Sequence, residues 1–153
     1  MPSDPKASEV PRVSEVSKSS GWAERPAPTL VDIEALALAA YAALPADFRA
    51  LTGGLVFRVA DFPDEEALAS VGLESEFDLL GLFVGFGMAQ AGATDFTGRM
   101  PNQIWLYRRP ILDFWADGED SLGAVVTHVL VHEIGHHFGL SDEDMERIED
   151  DAG

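Results

Sequence analysis

Cysteine is absent from this chain of 153 residues. That removes disulfides, thiolate metal ligands and cysteine nucleophiles together, and it leaves histidine and carboxylate to hold any metal. Basic residues are scarce: ten stand against 27 acidic ones, for a formal charge of −17. Arg108-Arg109 is the only basic doublet, so nucleic acid is excluded as a partner by repulsion. No apolar run reaches the length needed to span a membrane. The N-terminus lacks the apolar stretch of a secretory signal, which makes the cytoplasm the expected compartment. The glycines around Leu80 to Gly87 belong to no G-x-G-x-x-G or Walker pattern, and no internal repeat is visible.

What is present suits a small globular protein. Apolar residues make up 46% of the chain, enough for one domain with a real core. Met1 to Pro28 is rich in serine and proline and predicts a disordered tail, leaving 29–153 as the domain. Thr29 is placed to cap a helix running to Leu44, with Leu30, Ile33, Ala37, Tyr41 and Leu44 as its apolar stripe. A short helical turn from Pro45 to Leu51 follows, broken by Gly53-Gly54. Strands are predicted over Leu55–Ala60, Leu80–Phe86 and Gln103–Tyr107, and helices over Pro63–Val71, Ile111–Ala116 and Ser121–Phe138. Gly87–Pro101 reads as a loop of small residues. Strands clustered mid-chain among helices give an α+β class: a small mixed sheet of about three strands packed on several helices.

The strongest signal lies near the end. His132, Glu133 and His136 form H-E-x-x-H inside the long C-terminal helix. Histidines four apart share a helical face, about 6 Å apart along the axis, and can grip one metal ion. Zinc is the usual occupant. Glu133 is placed to act as general base toward a water molecule. Gly139 can close the helix in a left-handed turn, after which Asp142 offers a carboxylate as third ligand. The competing account of Asp142 is structural: Ser141 caps a final helix, and Asp142, Glu143 and Asp144 fill its first turn, where acids favour the dipole. His137 points about 100° away from His136. His128 lies one turn before His132 and competes with Asp142 for the third position. Three ligands along one straight helix would spread over about 12 Å, however, which makes His128 a neighbour of the site.

The segment from Val126 to Met145, with its H-E-x-x-H-x-x-G-x-x-D, resembles the small bacterial zincin-like metallopeptidases. Leu80-Gly81-Leu82-Phe83 and Leu106-Tyr107-Arg108-Arg109-Pro110-Ile111 resemble that family too, so the likeness spans residues 29–149. It implies a compact zincin fold, one catalytic Zn2+ on His132, His136 and Asp142, and Glu133 as the catalytic residue. A peptide or protein substrate would then lie along an edge strand, Gln103–Tyr107 or Leu82–Phe86, with Gly87–Pro101 as a rim. Metzincins share the motif but need a Met-turn well downstream, and Met145 comes too soon to form one. Tyr107, Arg108, Arg109 and His128 are the candidate donors to a developing oxyanion. The expected activity is zinc-dependent peptide hydrolysis. The alternatives are a metal-binding regulatory or interaction module, favoured by a further protein ligand such as His128, and a structural domain with an accidental motif.

Overall fold

The computed structural model describes residues 21–85 and 101–152. Helix α1 (Leu30–Ala43) starts at Thr29 in a reciprocal cap. The Thr29 hydroxyl accepts from the Asp32 N–H at 3.1 Å, and Asp32 Oδ2 accepts from the Thr29 N–H at 2.9 Å, so two orphan donors are satisfied at once. A one-turn helix α2 (Ala46–Ala50) follows Pro45. Strand β1 (Leu55–Ala60) leads to helix α3 (Glu65–Ser70), capped by Asp64. Strands β2 (Gly81–Val84) and β3 (Asn102–Tyr107) come next. Helices α4 (Arg108–Asp117), α5 (Leu122–His137) and α6 (Asp142–Ala152) end the chain. The α+β class and the placing of the motif on the long helix α5 both hold.

The sheet is mixed, in the order β1-β3-β2. β1 runs parallel to β3, from Leu55 opposite Asn102 to Ala60 opposite Tyr107. β2 runs antiparallel to β3, from Gly81 opposite Leu106 to Val84 opposite Gln103. Alternation along β3 sends Ile104 and Leu106 into the core and leaves Gln103 and Trp105 on the other face. The core joins Phe83, Ile104 and Leu106 to Val126, Leu130 and Ile134 of α5, with Ile33 and Ala37 of α1. Full burial of each such aliphatic side chain is worth roughly 1.5–3 kcal/mol over leaving it in water. Contact between β2 and α5 is close: a Cβ at Gly81 would lie 2.7 Å from Val129 Cγ1 and 2.9 Å from the Trp105 carbonyl oxygen.

Several predicted boundaries shift for local reasons. The helix expected over 63–71 contracts because the Asp64 side chain accepts from the Ala67 N–H at 2.8 Å and so fixes the start. The helix expected over 111–116 begins three residues earlier, directly after β3. Pro110 is then its third residue, still within the first turn, where no intrahelical N–H is required. The strand expected over 80–86 is observed as Gly81–Val84, and Phe86 lies outside the described residues, as do residues 87–100 of the expected loop. Residues 1–20 of the expected tail lie outside them too. Nearer the domain, Trp22 packs its ring 6.3 Å from that of Trp115, and Arg108 Nε–H donates to the Pro28 carbonyl at 2.5 Å.

Candidate metal centre

Helix α5 is built mainly for burial. Ser121 caps it by accepting from the Ala124 N–H at 3.1 Å, and Val125, Val126, Leu130 and Ile134 anchor it in the core. His128, His132 and His136 recur every fourth residue along another stripe. The His132 and His136 rings stand edge to face at 5.6 Å, while those of His128 and His132 are only 3.9 Å apart.

The end of α5 determines what meets that stripe. Gly139 takes φ +77°, and the Leu140 N–H reaches back to the Gly135 carbonyl at 2.9 Å. Ser141 then caps α6 by accepting from the Asp144 N–H at 3.0 Å. Together these turns fold α6 back along α5. Gly135, the second variable position of H-E-x-x-H, meets α6 closely: a Cβ there would lie 2.5 Å from Met145 Sδ. Met145 is fully buried in that contact. It packs the two helices together and forms no Met-turn.

One helical turn beyond Met145, Glu149 faces the histidine stripe. Its Oε1 lies 3.1 Å from His128 Nδ1 and its Oε2 lies 2.9 Å from His132 Nε2. One ligand atom from each of these three residues lies within 4.8 Å of the others. Ligand atoms around a tetrahedral zinc stand roughly 3.3 Å apart, given bond lengths of about 2.0–2.1 Å. Two imidazole nitrogens and a carboxylate oxygen at this spacing are therefore a donor set that fits a divalent ion. Burial, and then the neighbouring His128, hold the His132 imidazole below its ordinary value, while Glu149 acts in the opposite direction. A neutral ring is the form that ligates.

Glu133 sits one position along α5 from His132. Burial alone pushes its carboxyl up to about 7, where a group exchanges protons readily near neutral pH. Tyr107 at the end of β3 is pushed up to about 12, first by burial and then by Asp64 and Glu133. Its hydroxyl therefore stays protonated and can donate. Arg108 is held by Pro28 and by Asp61, 3.1 Å from Nη1, and Arg109 lies over the Phe62 ring at 5.4 Å. His136 is exposed near the end of α5, and Asp142 is the exposed first residue of α6. Neither joins the His128, His132 and Glu149 group among the described residues. His137 packs against Phe83 at 4.5 Å and Phe138 at 4.9 Å.

Glu149 was invisible to motif reading because its partners lie 17 and 21 positions away. A signal did exist: it stands four residues after Met145, beside the stripe of Met145, Ile148 and Ala152 that packs on the core.

A helix-borne H-E-x-x-H with a half-buried glutamate, packed on a small mixed sheet, defines a zincin-like domain. The chain belongs to the zincin-like metallopeptidase family, whose model matches residues 52–152. No curated protein matches it. Family membership points to a metallopeptidase, a hydrolase acting on proteins or peptides. No helix among the described residues is long and apolar enough to cross a membrane.

Proposed function

We propose that the protein is a zinc-dependent peptidase in which His132, His136 and Asp142 hold the metal and Glu133 is the general base. The observation that carries this reading is the half-buried Glu133 carboxyl, beside His132 on α5 and poised at about 7. A metal bound here would supply Lewis-acid polarisation of the scissile carbonyl and acidify a water. The chain's own residues do the rest. Glu133 accepts a proton from the attacking water on a carboxylate oxygen and returns it to the leaving amine. Tyr107, whose hydroxyl stays protonated, is a candidate donor to the developing oxyanion beside Arg108, Arg109 and His128. Asp142 follows the Gly139 turn, and Ser141 capping holds the backbone from which its carboxylate projects. In this reading the substrate is a peptide or protein, the charge of −17 disfavours nucleic acid as a partner, and the compartment is the cytoplasm.

A second reading rests on a different observation. The His128, His132 and Glu149 atoms already stand at ligand spacing, and a metal held there, away from His136, suits a non-catalytic regulatory or interaction module. Zinc content of the untagged protein, by elemental analysis, separates the two. The peptidase reading expects about one zinc per chain in wild type, lost in Asp142→Ala and retained in Glu149→Ala. Loss in Glu149→Ala with retention in Asp142→Ala would favour the module.

A further inference from the structure

The sheet face away from α5 carries a cavity of about 340 Å³. Trp105 and Tyr107 of β3 form one wall, their rings nearly parallel with centroids 6.3 Å apart. Leu82 and Val84 of β2 form another, and Phe62 and Ala67 complete the apolar lining. Among the described residues the charged lining is acidic: Asp64 and Glu66, exposed at the start of α3. Asp64 is held in place by its cap to the Ala67 N–H at 2.8 Å. Among the described residues no basic side chain lines the cavity.

This combination selects one kind of occupant. Aromatic and aliphatic walls take the methylene stem of a long side chain. Carboxylates at the edge then take a cation, and the Trp105 face adds a cation–π contribution. Phe62 already receives the Arg109 guanidinium at 5.4 Å, which shows that rings at this border accept cations. An acidic occupant would meet two like charges. A purely apolar one would gain nothing from the carboxylates at the edge.

Tyr107 is shared between the cavity wall and the electrostatic surroundings of Glu133. Tyr107 lies in the fields of both Asp64, at the cavity, and Glu133, on α5. Leu82 and Val84 point into the cavity from β2, which ends the sheet order on that side among the described residues. A peptide pairing with an edge strand presents alternate side chains to one face of the sheet. Every second residue of such a peptide would face this cavity.

We propose that the cavity is a specificity pocket for a lysine or arginine side chain of an extended peptide laid along β2. This rests on the peptidase reading for its substrate class, and its test is kept independent of turnover. Calorimetric binding to the Glu133→Gln protein, with and without zinc, uses three short peptides that differ at one central position: lysine, leucine or glutamate. The lysine peptide is expected to bind about tenfold more tightly than the glutamate peptide, since two exposed carboxylates each contribute modestly. The double change Asp64→Asn with Glu66→Gln preserves the α3 cap, since asparagine caps as well as aspartate, and is expected to abolish the preference. Equal affinities for the three peptides, no binding of any, or a preference that survives the double change would overturn the proposal. Binding with this preference in a protein whose wild type cuts nothing would leave the pocket standing and count against the peptidase reading alone.

Discussion

Glu133→Gln is expected to stabilise the metal-free protein by an amount that grows with pH. Burial on α5 moves the carboxyl from its ordinary 4.5 to about 7 in the folded chain. Because the folded value is raised, the folded chain binds more protons than the unfolded chain between those two values. Stability is thus fully present below 4.5 and is lost as pH rises toward 7. At about 1.4 kcal/mol per pH unit, that interval amounts to about 2–3 kcal/mol once partial solvent access is allowed for. Glutamine keeps the shape and carries no charge to desolvate. In the presence of a chelator, urea unfolding should find the two proteins nearly equal at about pH 4 and separated by about 2–3 kcal/mol at about pH 8. With a typical slope of about 1–3 kcal/mol per molar urea, the midpoint shift is on the order of 1 M. An offset that does not change with pH would refute the reasoning, because the carboxyl would then be titrating as though exposed.

Three further outcomes follow from the helical hairpin and its neighbours. Gly139→Ala puts a Cβ on a residue with φ +77° and should lower stability by about 1–2 kcal/mol in urea unfolding. Gly135→Ala drives a Cβ into Met145, 2.5 Å from Sδ, and should cost about 1–3 kcal/mol. Combined with Met145→Ala, it should cost less than the two changes summed, because the new methyl fills part of the space vacated; strict additivity in a double-mutant cycle would count against this contact. Thr29→Ala removes one half of the reciprocal cap on α1 and should cost about 1 kcal/mol, read as a lowered thermal midpoint.

Much of this was legible because the signals were local. Thr29, Ser121, Ser141 and Gly139 act on backbone within a few residues, so the limits of α1, α5 and α6 could be read from the chain. The short apolar run Ile104–Tyr107 likewise marks β3. The expected start of α4 at Ile111 falls three residues late, because the helix takes Pro110 harmlessly in its first turn. Strand order depends on pairing across long separations, and nothing in residues 55–60 announces a parallel partner at 102–107. The site divides in the same way. His132, Glu133 and His136 are fixed by spacing on one helix. The contact of Glu149 with His128 and His132 exists only because the Gly139 turn and the Met145–Gly135 packing fold α6 onto α5.

The central claim is that Glu133 acts as general base in metal-dependent peptide hydrolysis. Its most direct test is the cleavage rate of a peptide library by zinc-loaded wild type and zinc-loaded Glu133→Gln, with metal content measured on the same samples. The account predicts hydrolysis by wild type and a loss of at least about 10²-fold in Glu133→Gln at unchanged zinc content. Equal rates in the two proteins, or no cleavage by a wild type that carries its full zinc, would contradict it.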